Sequence, residues 1–350
     1  MRETLKGRRF ALQALMALGG GFFSRSLLAE PNISARAPGT PEDLSGALAD
    51  PEPLFAAPTR LDRIGRVMTQ VMVNGKGPFR FVIDTGASRS TLSPHLAKAL
   101  GLTHSVGRNV MLNGVTGAAE VPTVAINSIE IGALKFENQD LPVIFTSIMG
   151  NADGILGVAG FGDQRIDVDF KRDRVSVLES NGRRPHYSMV TARAVRDANG
   201  LMILDVHVGR HIKAKAVVDT GAERTLGNIA LREALKQHSR SGRGFVAKLT
   251  TVYGATTEVE PGEIQSAPII LLGSLRMTDV AVVYGDFHIF KVWNMQNKPA
   301  MILGMDVLGT VASLNIDFKN QDLYVASAIT IDQPWRPSSH ELNNDQSQRK

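Results

Sequence analysis

One short segment occurs twice in this chain, and the duplication constrains the fold more than anything else in it. The first copy is Phe81-Val82-Ile83-Asp84-Thr85-Gly86-Ala87-Ser88, and the second is Ala216-Val217-Val218-Asp219-Thr220-Gly221-Ala222-Glu223. Each is an apolar tripeptide running into Asp-Thr-Gly-Ala. A short apolar run closed by a turn signal suits a buried strand. Each Asp then stands where its strand ends, and each Gly where the backbone must turn tightly. One copy alone would read as a surface turn, since Asp and Gly are common turn formers. Two copies with the same lead-in and the same following Ala point to a duplicated functional loop.

The copies head two longer repeats in which the same features recur in the same order. Asp153-Gly154-Ile155-Leu156-Gly157 is answered by Met301-Ile302-Leu303-Gly304, and Ile166-Asp167-Val168-Asp169-Phe170-Lys171 by Leu314-Asn315-Ile316-Asp317-Phe318-Lys319. The spacings are 219 − 84 = 135, 304 − 157 = 147 and 317 − 169 = 148, so the order holds while loop lengths drift by 13. That suits a duplicated domain rather than a short-period solenoid. In the first repeat, Val67, Thr69, Val71 and Val73 alternate as a strand would. Asn74 to Pro78 reads as a turn, Phe79 to Ile83 as the strand delivering Asp84, and His95 to Leu100 as a short helix ended by Gly101. Val110 to Val121 reads as a hairpin with Gly114, Val115 and Gly117 at its tip. Strands are predicted over Val124 to Ile131 and Leu141 to Phe145, and a closing hairpin from Ile166 to Leu178. The second repeat offers a strand at Leu201 to Val208, a turn at Gly209-Arg210, a helix at Leu231 to Leu235 and a hairpin at Leu249 to Ala255. The predicted domains are therefore 60–180 and 201–330, joined by a polar linker at 181–200.

These residues resemble the active-site loops of aspartic peptidases, in particular the retropepsin-like branch in a single-chain bacterial form. The resemblance covers about Arg60 to Ile329. It implies a mainly β fold: two homologous retropepsin-like (acid protease) β-barrel domains in a pseudo-twofold bilobal structure. It implies that Asp84 and Asp219 are catalytic and that Thr85, Gly86, Thr220 and Gly221 support the loops, the two Thr hydroxyls locking one loop to the other. The hairpins correspond to flaps over the substrate, and the apolar-Gly signatures pack beneath the catalytic loops. Ala87 and Ala222 follow the retropepsin pattern, where pepsin-like loops usually carry Ser or Thr. Substrate neighbours on this reading are Ala87, Ser88, Ala222, Glu223, Val115 and Tyr253. For Glu223 a surface carboxylate, and for Tyr253 an ordinary strand aromatic, are equally open readings.

Two carboxyls held about 3 Å apart cannot both ionise cheaply, so they share a proton and supply a base and an acid in one site. That chemistry activates water on a peptide or protein substrate with no cofactor and no metal. The eight His residues are scattered and form no metal-binding motif, and Gly160-Phe161-Gly162 lacks the rest of a dinucleotide fingerprint. An exported peptide-binding or scaffold protein that keeps the fold without turnover is the rival reading. A third is pairing of the halves between chains, whereas an in-chain dyad implies a monomer.

With no Cys, disulfides, thiol nucleophiles and Cys-based zinc sites are excluded. The formal net charge of +5 invites a nucleic-acid reading, but part of it lies in the leader and no basic stripe interleaves with aromatics, so no nucleic acid is expected. Residues 1–29 read as an export signal, with Arg2, Lys6, Arg8 and Arg9 ahead of the apolar run Phe10 to Phe23. A periplasmic or secreted protein is expected, touching the membrane only through that leader if it stays uncleaved. Residues 30–59 are rich in Pro and Ala and read as a linker or pro-segment. The polar tail 331–350 is expected to be disordered.

Overall fold

Alternation of apolar and polar residues decides the secondary structure of most of the chain. Met202–Val208 buries Met202, Leu204, Val206 and Val208 and exposes Asp205 and His207, as a strand packed on one face does. The ends of the Asp-bearing strands are apolar on both sides instead: Phe81, Val82 and Ile83, and Ala216, Val217 and Val218, are all buried. The computed structural model describes residues 33–35, 55–58, 60–61, 66–132, 134–144, 149–172, 174–182, 189–238 and 248–327. These lie within one compact unit, Pro31–Lys350. The expected leader 1–29, most of 30–59, Phe145 and the tail 331–350 fall outside the described residues.

The first lobe is a sheet ordered Thr91–Leu92, Gly154–Gly157, Lys76–Asp84, Val67–Val73, Ala118–Ile131, His104–Asn113, with Leu134–Pro142 also pairing with Ala118–Ile131. A parallel bridge from Leu92 to Val143 ties its far edge back round, so the sheet curls on itself. The turn expected at 74–78 is only two residues long. Asn74 and Gly75 have φ of 50° and 70°, and the strand resumes at Lys76. The strand expected at 124–131 is no separate element. It is the continuation of the returning hairpin arm, one strand from Ala118 to Ile131.

The second lobe repeats this plan with one break. The returning arm of its hairpin, Val259–Ser266, stops before Pro268 and resumes as Ile270–Leu272, which pairs with Met202–Val208. Proline lacks the N–H that a continuous ladder needs. The helix expected at 231–235 is longer, Ile229–His238.

A third region joins the lobes. Gln164–Asp169 of the first half pairs antiparallel with Ser313–Asp317 of the second. Asp167 lies directly opposite Asn315, and these are equivalent positions of the repeat, 315 − 167 = 148. A strand that crosses its own duplicate at an equivalent residue marks the pseudo-twofold axis. Nearby, the rings of Phe161 and Phe318 stack at 6.2 Å. The expected linker 181–200 is not wholly irregular: Val190–Arg196 is a strand pairing with Asp322–Ala326 on one side and Met202–Val208 on the other. Its alternation of buried and exposed residues was masked in the sequence by Val195, an apolar residue at an exposed position. Strands also occur in the expected pro-segment, where Ile33–Ala35 pairs with Leu275–Met277 and Phe55–Pro58 with Arg174–Glu179. Both additions sit on sheet edges, where backbone groups pair without demanding an apolar pattern.

Candidate active site

Each Asp is delivered by a central strand of its lobe. Lys76–Asp84 runs parallel to Gly154–Gly157, with Gly157 opposite Asp84. Ile212–Val218 runs parallel to Ala300–Leu303, with Leu303 opposite Val218. The loop after each Asp is pinned to the residues that follow the neighbouring strand. Val158 N–H donates to Ala87 O at 2.9 Å, and Met305 N–H donates to Ala222 O at 2.8 Å. Gly157 N–H donates to Ser90 Oγ at 3.1 Å, and Gly304 N–H to Thr225 Oγ1 at 3.2 Å. The signature glycines are needed for this approach, because a Cβ would stand 2.5 Å from the carbonyl carbon of Arg89 at Gly157 and of Arg224 at Gly304.

Thr85 and Thr220 join the loops across the axis. Thr85 Oγ1 donates to Val218 O at 2.8 Å and accepts from Thr220 N–H at 3.1 Å. Thr220 Oγ1 donates to Ile83 O at 2.7 Å and accepts from Thr85 N–H at 3.2 Å. Both side chains are buried. Gly86 N–H donates to Asp84 Oδ1 at 2.9 Å, and Gly221 N–H to Asp219 Oδ1 at 2.8 Å. A methyl group on Gly86 would overlap the Asp219 carboxylate, and one on Gly221 the Asp84 carboxylate. Each glycine thus makes room for the opposite acid.

The two carboxyls hydrogen-bond each other. Burial pushes both upward. Asp84 is pulled partly back by its bond to Asp219, by Gly86 N–H and by the Arg66 guanidinium. Asp219 is driven well above the usual carboxylate range by burial and by the adjacent Asp84 charge. The pair therefore holds a proton to higher pH than an isolated Asp and can act as acid and base together.

The two hairpin tips touch each other. Thr116 Oγ1 lies 3.3 Å from Thr256 Oγ1, and both residues are buried although each sits at a loop tip. Val115 of the first tip packs against the second lobe's cluster of Leu226, Phe287, Phe290 and Ile302, which also receives Ala222 and Val252. Ala87 packs on the other side with Ile144, Met149, Ile155 and Leu112. The two Ala residues thus stand between the dyad and two apolar walls. Tyr253 is different: alternation turns Val252 inward and leaves Tyr253 61% exposed on the outer face of its hairpin. Val252 instead packs on the same cluster as Ala222. Glu223 is exposed, with Oε1 3.7 Å from Arg224 Nε, and Ser88 is half-buried.

Several residues of the site escaped sequence reasoning. Ser90 and Thr225 stand at the repeat spacing, 225 − 90 = 135, and that signal could have found them. Asp306 accepts from Thr225 Oγ1 at 2.7 Å and from Thr225 N–H at 3.0 Å. Its first-lobe counterpart is Ala159, which donates N–H to Ser88 O as Asp306 does to Glu223 O, so the repeat could not reveal it. Thr116 and Thr256 close the same Gly-x-Thr at the two hairpin tips, 256 − 116 = 140, so the repeat could have found them as well, whereas Arg66 carried no motif. Among the described residues no three His, Cys, Asp or Glu stand together in a way that could hold a metal ion.

The aspartyl protease family profile matches residues 69–159 and 204–307, together more than half of the chain. The two matched regions are the two halves of the internal repeat. No curated protein matches the chain.

Proposed function

The chain belongs to the aspartyl protease family, and from that premise we propose that it is an aspartic endopeptidase working as a single chain. The observation that carries this is the mutually hydrogen-bonded pair Asp84 and Asp219, held by the Thr85–Thr220 lock. The ionised carboxylate takes a proton from a bound water as its oxygen attacks the scissile carbonyl carbon. The protonated carboxyl donates to the carbonyl oxygen. The tetrahedral intermediate then collapses: a proton passes to the amide nitrogen, the C–N bond breaks, and the dyad returns to one shared proton. The buried lock keeps the acid and the base in register, so little reorganisation is needed as charge moves. The apolar walls beside Ala87 and Ala222 suit substrates with apolar side chains on both sides of the cleaved bond. The basic, apolar leader supports export of the enzyme.

The test is digestion of a peptide library at several pH values by wild type, Asp84→Asn and Asp219→Asn. Cleavage by wild type and loss of at least about a thousandfold in each variant are expected, with no further loss in the double variant. Peptide binding without cleavage by wild type would instead mark a non-catalytic binder. Size-exclusion chromatography of the active species should give the mass of one chain.

A further inference from the structure

The two halves differ at one buried position beside the dyad. In the first lobe, the ladder between Val67–Val73 and Lys76–Asp84 sets Met68 opposite Val82. Two residues further in the same register, Arg66 stands opposite Asp84, and directly opposed residues share a face of the sheet. Arg66 is buried, with a guanidinium nitrogen close to Gly150. In the second lobe, Ile203 lies opposite Val217, and the same step brings Leu201 opposite Asp219. Leu201 is as buried as Arg66, both 2% exposed. Continued past its last pair, each ladder thus sets a cation across from one acid and a leucine across from the other, and the Arg66 charge acts on Asp84 through space.

The backbone donors supply no bias toward an ionised Asp84. Gly86 N–H donates to Asp84 Oδ1, and Gly221 and Ala222 N–H both donate to Asp219 Oδ1, while Ala87 N–H turns to the main-chain oxygen of Asp84. The charged groups acting on Asp84 are Asp219 from across the cleft and Arg66 from its own sheet. The charged group acting on Asp219 is Asp84 itself. Arg66 keeps its charge at every working pH, so its bias does not titrate away.

We infer that Arg66 is a positioning residue that makes Asp84 the ionised base and leaves the shared proton on Asp219. The catalytic consequence rests on the proposed peptidase reading: Asp84 takes the proton of the water, and Asp219 protonates the carbonyl oxygen. Asp84 then passes the gained proton to the leaving nitrogen, and Asp219 recovers its own from the intermediate's hydroxyl.

Alkylation by a small aryl-ether epoxide tests this without any peptide turnover. The ionised carboxylate attacks an epoxide carbon, the ring C–O bond breaks, and the ring oxygen takes the partner's proton, leaving a hydroxy-ester on the base. Peptide mass mapping of the labelled full chain reads which Asp carries it. In wild type the ester is expected on Asp84 in at least about tenfold excess over Asp219. In Arg66→Leu, which copies Leu201, the two labels should approach equality, and Arg66→Lys should restore the excess. The acidic limb of kcat/KM against pH should move to higher pH in Arg66→Leu and return in Arg66→Lys. An ester mainly on Asp219 in wild type, or an unchanged ratio in folded Arg66→Leu, overturns the assignment. Labelling of Asp84 with no peptide cleavage would sink the peptidase reading and leave this one standing.

Discussion

Thr85 and Thr220 hold the site more firmly than the acids they follow. Each hydroxyl donates to a backbone carbonyl and accepts a backbone N–H of the other loop, all buried. Thr85→Val or Thr220→Val removes one hydroxyl and orphans both of its backbone partners, at about 1–3 kcal/mol for each buried unsatisfied group. Urea unfolding should show a loss of about 3 kcal/mol for either variant, and less than twice that for the double variant, because the two hydroxyls lie 3.5 Å apart in one network. A single variant within about 0.5 kcal/mol of wild type would mean that the lock is not structural. The acids act in the opposite sense at neutral pH. Burial raises both carboxyls in the folded state, so folding holds protons that the unfolded chain would release. Their contribution to stability is fully present below the unfolded carboxylate range, near about pH 4, and is lost as pH rises through the raised folded values. Asp219→Asn should therefore be more stable than wild type at pH 7 and no more stable at pH 3. Thermal midpoints at the two pH values check this, and a variant less stable at pH 7 would contradict it.

Two hairpins touch at their tips, and their contact is built from backbone rather than from large side chains. Gly114 lies against Ala255, and Gly254 against Thr116. A Cβ on Gly254 would stand 2.5 Å from Thr116 Oγ1, so Gly254→Ala must push the tips apart. The tips carry little of the core, and the thermal midpoint should hardly move. Closure of a lid positions substrate and excludes water, so kcat/KM should fall about tenfold or more, with KM rising. The result to look for is a kinetic loss without a stability loss; unchanged kinetics would place the tip contact outside the catalytic cycle. A second tie reaches the first hairpin from the helix His288–Val292, where His288 Nε2 lies 3.1 Å from Asn113 Oδ1.

The molecule as a whole is joined through its middle. The pairing of Gln164–Asp169 with Ser313–Asp317 crosses from one half to the other, and the main apolar cluster contains residues of both. Asp317 is fully buried there and accepts from Ser180 Oγ at 2.6 Å and from Asn320 N–H at 2.9 Å. The halves should therefore unfold together. Fluorescence of Trp293, packed in the second lobe and read alone in a Trp335→Phe background, and far-UV circular dichroism, which reports both, should give coincident urea transitions. Asp317→Ala leaves buried donors unpaired and should lower both midpoints together, by about 2–4 kcal/mol. Separate transitions for the two probes would mean that the halves are independent folding units.

The duplicated Asp-Thr-Gly-Ala segment determined by itself that there are two equivalent loops, that each ends a buried strand, and which four side chains meet. Such features are legible because they are local and occur twice, so one copy checks the other. Ser90 and Thr225 belong to the same class and were within reach. Tertiary structure decided the rest, wherever a partner distant in sequence or a difference between the copies sets the outcome. Pro268 splits one strand where the first lobe keeps it whole, and Val190–Arg196 becomes a strand because two sheet edges are there to receive it. Thr116 and Thr256 are buried at loop tips only because each tip covers the other. Arg66 reads as an ordinary surface cation until strand register sets it across from Asp84 and burial strips it of water, which makes its charge count.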